Sequence, residues 1–135
     1  MKTIFEFLYY CLYRMFALIK RVGERDENLA SQFYSGLLTT NFFCFLFFLK
    51  FVINLSTFNE WLLKGGFFSL FIVSYIFCNI YFIKKQNYIR IINNYDLKYP
   101  DKKNILATVG IIYSMSTFLS FIILVSIISK IKYYS

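Results

Sequence analysis

Few side chains in this 135-residue chain could do chemistry, and their spacing does not suit a reactive site. Histidine is absent, so neither a Ser-His-Asp nor a Cys-His arrangement can form. Cys11, Cys44 and Cys78 are widely spaced in apolar sequence, which is typical of small buried hydrophobes and not of a disulfide framework or a zinc site. The seven acids all lie outside the long apolar runs, which argues against a proton relay. We therefore expect no enzyme, no metal and no cofactor.

One cation does interrupt an apolar run. Lys50 lies within FFCFLFFLKFVINLS, residues 42–56. A lysine this close to the end of a span can extend its stem to the membrane surface, so snorkelling explains it without a function. The alternative is that Lys50 faces protein or water, because a helical wheel gathers polar residues on its side of the helix. This polar intramembrane stripe comprises Thr39, Thr40, Lys50 and Asn54, together with Gly36.

The composition indicates that lipid is the solvent for most of the chain. Hydrophobic residues make up 59% of it and aromatic residues 23%, more than the core of a small soluble domain can bury. The net charge of +8 does not point to nucleic acid, because the basic residues cluster beside the apolar runs, where they would contact anionic lipid head groups. The membrane-surface basic residues are Arg14, Lys20, Arg21, Lys84, Lys85, Lys102 and Lys103.

Three apolar runs are long enough to cross a bilayer as helices, since a span needs about 20 residues. We predict transmembrane helices over 36–56, 61–83 and 104–130. A polar hinge over 23–35 precedes the first, and a basic loop over 84–103 separates the second from the third. Apolar and polar residues do not alternate with the period of two that is typical of strands. An all-α membrane protein is therefore predicted, and not a β-barrel.

Residues 1–22 differ from the three apolar runs. On a helical wheel, Glu6 and Arg14 fall on one face with several tyrosines, and apolar residues fall on the other. This pattern predicts an amphipathic helix that lies in the membrane interface with its polar face toward the head groups. The alternative is a fourth, tilted transmembrane helix with Arg14 buried against its neighbours.

The orientation follows from the lysines and arginines. Eleven of the fifteen lie in residues 1–25 and 84–103, against three near the other ends of the spans. The positive-inside rule therefore puts these two segments in the cytoplasm and the C-terminus outside. Isoleucines and tyrosines recur at helical spacing in 84–103, so the second helix is expected to project beyond the membrane, and Pro100 marks a restart before the third.

The third span has a face of small residues. Small side chains let helix backbones approach closely, and hydroxyl groups can hydrogen-bond between helices. Such a face serves close packing within one chain, and the alternatives are a homo-oligomer or docking onto a membrane partner. This helix-packing face comprises Ala107, Gly110, Ser114 and Thr117.

Two stretches, FEFLYYCLYRMFALIKR and YIRIINNYDLKYPDKKNILATVGIIYSMSTFLSF, resemble uncharacterised small multi-pass membrane proteins of Bacteroidetes. The second ends in a span with Gly110, Tyr113 and Ser120, as in that group. The resemblance implies a bacterial inner-membrane location and a role in competition or defence. We expect a non-enzymatic protein that binds a protein partner through its membrane helices, such as an immunity or accessory subunit. The alternative is a self-assembling effector that opens a pore and depolarises the membrane.

Overall fold

The computed structural model describes residues 2–19, 26–53 and 60–134. Within these ranges the chain is helical, and the predicted all-α class is confirmed. A π-helical stretch, Asn79–Lys84, follows α3 directly, and a 3₁₀ turn, Pro100–Lys102, leads into α5. The five α-helices are α1 (Lys2–Ile19), α2 (Asp26–Ile53), α3 (Glu60–Cys78), α4 (Asn87–Lys98) and α5 (Lys103–Tyr134).

Three segments are long and apolar enough to cross a membrane. They are Asp26–Leu49 in α2, Gly65–Lys84 in α3 and its π-helical extension, and Pro100–Ile127 in α5. The shortest has 20 residues, which rise about 30 Å as a helix, the thickness of the hydrocarbon core. The chain is therefore a multi-pass membrane protein.

The structure corrects the predicted hinge over 23–35. Helix α2 begins at Asp26, so residues 26–35 are helical, and residues 23–25 lie outside the described part. Asp26 is an acid in the first turn, where the positive end of the helix dipole favours a negative charge. Ala30 and Tyr34 are buried in the protein core, and this packing outweighs the polar composition that suggested a hinge.

The predicted projection of the second helix beyond the membrane is also wrong. The chain leaves the helix at Gln86, which has a left-handed backbone with φ of 52°. A left-handed conformation costs a residue other than glycine roughly 1–2 kcal/mol. Two hydrogen bonds stabilise the reversal: Gln86 N–H donates to the Ile83 carbonyl over 3.0 Å, and Asn87 Nδ2 donates to the Tyr81 carbonyl over 2.8 Å. The basic segment therefore folds back as a separate helix, α4.

The middle of helix α1 is buried within the protein. Tyr9, Tyr10, Cys11 and Leu12 are each 0% exposed. Because successive residues are about 100° apart, four consecutive residues sweep most of the circumference, and α1 is covered on all sides at this level. It packs against α2, α4 and α5, and the ring of Tyr9 stacks on Phe82 with 3.9 Å between centroids.

This placement corrects the predicted environment of the polar face of α1. Its tyrosines were expected to face lipid head groups, but protein covers Tyr9 and Tyr10 completely and Tyr13 in part. Protein covers this face because Arg90 and Asp96 of α4 pair with its polar side chains. The location of α1 at the membrane interface stays a prediction.

Candidate functional site

An apolar cleft opens where α1, α2, α3 and α5 meet, with a volume of about 490 Å³. Half of its lining residues are phenylalanines, and all four helices contribute at least one. Gly36 and Thr40 of α2 lie on the same wall, one helical turn apart, and Gln32 adds an amide side chain a turn earlier. The lining residues are Phe16, Leu29, Gln32, Phe33, Gly36, Leu37, Thr40, Phe67, Phe71 and Phe118.

The structure divides the predicted polar stripe of α2. Thr40 lines the cleft and its hydroxyl donates to the Gly36 carbonyl over 2.9 Å. Thr39 is 1% exposed and its hydroxyl donates to the Ser35 carbonyl over 2.9 Å, so it belongs to the interior. The side chain of Lys50 and all of Asn54 lie outside the described part of the chain.

The small-residue face of α5 is turned into the protein. Ala107, Ser114 and Thr117 are buried, and Gly110 lies against the backbone of Cys11 in α1. A Cβ atom added at Gly110 would stand 2.6 Å from the Cys11 carbonyl oxygen, closer than any real Cβ contact. At Gly110 this face therefore serves close packing within one chain.

A hydrogen bond between α2 and α5 crosses the interior of the bundle. Asn41 Nδ2 donates to the hydroxyl oxygen of Tyr113 over 2.8 Å. Both residues are polar groups within candidate spans, where an unpaired group would be costly.

We expect Tyr113→Phe to lower the free energy of unfolding by only about 0.6 kcal/mol, the average value of such bonds between membrane helices. Thermal unfolding in detergent measures it. Asn41→Leu should cost a similar amount, and the double variant should cost less than the sum of the two. Additive costs would contradict the bond.

Polar side chains of α1 also pair with α4. Nη2 of Arg14 and the hydroxyl of Tyr10 both contact Oδ1 of Asp96. Nε of Arg14 donates to the Tyr10 hydroxyl oxygen over 3.0 Å. The guanidinium also lies over the Tyr13 ring, 5.6 Å from its centroid. Arg14 is thus held between a carboxylate and two aromatic rings, with 17% of its side chain still exposed.

A second ion pair lies nearer the start of α1. Oε1 of Glu6 accepts hydrogen bonds from Nη2 of Arg90 and from the hydroxyl of Tyr81, each over 2.7 Å. The hydroxyl of Tyr95 donates to the Thr3 carbonyl over 3.1 Å. The contacts of Arg90, Tyr95 and Asp96 attach α4 along more than two turns of α1, and Tyr81 adds a contact from the π-helical stretch. We call the charged and phenolic groups of both ion pairs the α1–α4 clasp: Glu6, Tyr10, Arg14, Tyr81, Arg90 and Asp96.

Protonation within the clasp follows from its geometry. Burial and the hydrogen bond to Asp96 raise the pKa of Tyr10 to about 12. Partial burial alone would raise the pKa of Asp96, but the bonds from Arg14 and Tyr10 outweigh burial and hold that pKa below the usual 3.8. At neutral pH the proton therefore stays on Tyr10 and the negative charge stays on Asp96.

The predicted membrane-surface cations fall into different environments. Lys84, Lys85 and Lys102 are exposed, as a headgroup contact requires. Lys103 is partly buried, with its Nζ atom 3.8 Å from Oδ2 of Asp96. Lys20 and Arg21 lie outside the described residues, and Arg14 is engaged in the clasp.

Sequence reasoning missed the pairing partners Glu6, Arg90 and Asp96. One signal was available for Asp96, which is one of two acids in a basic, tyrosine-containing segment. Glu6 was visible as an acid on the polar face of α1, eight residues before Arg14. Neither signal identifies a partner more than 80 residues away in the chain.

The cysteines offer little reactivity. Burial raises the pKa of the Cys11 thiol to about 12, which keeps it protonated at neutral pH and unreactive as a nucleophile. Among the described residues, no group of three or more His, Cys, Asp or Glu side chains is close enough to hold a metal ion. What the chain offers instead is an apolar cleft, a polar clasp and wide apolar helix faces.

No family model, no curated protein and no solved structure matches the chain. Function is therefore inferred from the cleft, the clasp and the exposed helix faces.

Proposed function

We propose that the chain is a small, non-enzymatic protein of a bacterial inner membrane that binds a protein partner through its membrane helices, as an immunity or accessory subunit would. The observation that carries the proposal is the cleft between α1, α2, α3 and α5. All of its lining residues except Phe16 belong to candidate spans, and its wall combines phenylalanines with Gly36 and Thr40.

Few residues of the second and third candidate spans are buried by the chain itself. In the most apolar stretch of the second span only 11% of the residues are buried within the protein, and in that of the third only 17%. Exposed apolar side chains along these helices include Phe68, Ile72 and Val73 of α3. Lipid or another membrane helix must cover such surface, because water cannot do so without a large free-energy cost.

The cleft suits a helix better than an acyl chain. Gly36 lets a second backbone come close, since the nearest atom to a Cβ added there is 3.9 Å away, in Phe71. Gln32 brings amide groups that a lipid tail cannot pair with, whereas a polar side chain of a partner helix can. A helix carrying small and polar residues is the best-matched occupant.

The proposed orientation places α4 and the clasp in the cytoplasm and the C-terminus outside. It rests on the excess of lysine and arginine at this end of the bundle. The clasp would then brace the cytoplasmic end of the bundle, while the cleft opens within the bilayer.

Thr40→Phe tests the proposal, because a phenyl ring at this position fills the cleft. We expect it to reduce recovery of the partner about tenfold when the tagged chain is purified from its native host after cross-linking. Ser120→Phe is the matched control. It adds the same ring to an exposed position of α5 outside the cleft lining and should leave recovery unchanged.

Two outcomes would contradict partner binding at the cleft. One is recovery of the same proteins, in the same amounts, with Thr40→Phe as with the unmodified chain. The other is rapid membrane depolarisation when the chain is expressed alone, abolished by Thr40→Phe, which would favour the self-assembling pore.

A further inference from the structure

A small recess lies between α1 and the first turn of α5, apart from the cleft. Arg14, Ala17 and Leu18 line it from α1, and Lys103 and Asn104 line it from α5. Its volume is about 170 Å³, enough for a phosphate group and its nearest atoms but not for a whole lipid. The recess thus combines two cations and an amide with a short apolar wall.

The two cations that line the recess share a single carboxylate partner. Arg14 and Lys103 share one carboxylate, that of Asp96: Arg14 contacts Oδ1, and Lys103 Nζ lies 3.8 Å from Oδ2. Two positive charges against one negative charge leave an excess of one. A phosphodiester carries one negative charge, so it would balance the recess.

The position of the recess in the fold matches a lipid headgroup. The third candidate span begins at Pro100, so Lys103 and Asn104 lie in its first turns, at the end expected to meet the membrane surface. Leu18 is 58% exposed, and it offers an apolar surface beside the two cations. A headgroup phosphate at the cations would place its glycerol and acyl chains along Ala17 and Leu18.

We propose that this recess binds the phosphate of an anionic phospholipid, with Arg14, Lys103 and Asn104 as its donors. The site is separate from the cleft and does not depend on a protein partner. It turns a general attraction between basic residues and the membrane into a specific contact, because a recessed phosphate makes charge-assisted hydrogen bonds that a diffuse layer of head groups does not.

The test measures thermal unfolding of the purified full chain in neutral detergent during titration with phosphatidylglycerol or phosphatidylcholine. Phosphatidylglycerol should raise the melting temperature at lower concentrations, since the choline cation opposes the excess charge of the recess. Lys103→Gln should weaken the apparent affinity for phosphatidylglycerol about tenfold, the effect of losing one charge-assisted hydrogen bond. Lys102→Gln removes the same charge from the exposed neighbour outside the recess and should leave the affinity within about twofold of the unmodified chain.

Equal weakening by Lys103→Gln and Lys102→Gln would overturn the proposal in favour of diffuse attraction, and so would no weakening by either. Inorganic phosphate, titrated alone, distinguishes the source of the anion. If it stabilises the chain at the same concentrations as the lipid, the assignment to a lipid is overturned.

Asn104→Leu provides a second variant should Lys103→Gln unfold, because it removes a donor without changing the charge. An unchanged affinity of this variant for phosphatidylglycerol would also overturn the proposal.

Discussion

Gly110→Ala should lower the free energy of unfolding by about 1–3 kcal/mol, the usual cost of overpacking a tight interior. In an exposed helix the same change would stabilise by roughly 1 kcal/mol, because alanine is the better helix former. At Gly110 the substitution destabilises instead, because the new Cβ would lie 2.6 Å from the carbonyl oxygen of Cys11. That oxygen is a backbone atom, so it cannot turn aside as a flexible side chain would, and α1 and α5 must separate.

The measurement is thermal unfolding in detergent, together with size-exclusion chromatography to detect loss of the folded monomer. Gly66→Ala is the matched control, because a Cβ added at Gly66 meets nothing within 4 Å. It should melt at or slightly above the temperature of the unmodified chain. A Gly110→Ala variant that melts like Gly66→Ala would show that α1 does not rest on α5.

The second large effect is expected for Asp96→Asn, at about 1–3 kcal/mol of destabilisation. Asparagine keeps the size of the side chain but removes the negative charge that faces Arg14. The side chain of Arg14 is only 17% exposed, so water replaces the lost partner poorly. Because Asp96 is 29% exposed, the cost should fall short of that of a fully buried pair.

Acid should have the same effect as the substitution. The pKa of Asp96 in the folded chain lies below the usual 3.8, so the folded state holds the carboxylate ionised more strongly than the unfolded state does. Its contribution is fully present above that usual value and is lost as the pH falls through the lowered pKa. Melting curves of the unmodified chain should therefore fall toward those of Asp96→Asn in this acid range.

Two comparisons distinguish the loss of the Arg14–Asp96 ion pair from a nonspecific loss of stability on substitution. Arg90→Gln breaks the ion pair between Arg90 and Glu6, in which the arginine side chain is 48% exposed. It should lower the free energy of unfolding by less than about 1 kcal/mol. A double-mutant cycle with Arg14→Gln and Asp96→Asn should give a coupling energy, since the two side chains are in contact. Additive costs, or a variant Asp96→Asn with unchanged stability at neutral pH, would refute the role assigned to Asp96.

Composition and local pattern were enough to predict the membrane helices. The free energy of placing a helix in lipid is a sum over its own residues, so a run such as 104–130 reveals its environment without reference to the rest of the chain. The small-residue face around Gly110 was visible for the same reason, as a periodic pattern within one helix. Its partner, Cys11 of α1, was not, because a helix face does not specify what covers it.

Tertiary structure decided the environment of each polar residue. Thr39 and Thr40 are adjacent in sequence, yet one is buried against the interior and the other lines the cleft, because 100° of helical rotation turns them toward different neighbours. In the same way, the sequence predicted that the polar face of α1 contacts head groups. In the structure, Arg90 and Asp96 of α4 pair with this face instead. The sequence by itself determined which segments enter lipid, since that depends on local hydrophobicity. Which polar groups meet one another was decided by the fold, because their pairing depends on residues more than 80 positions apart.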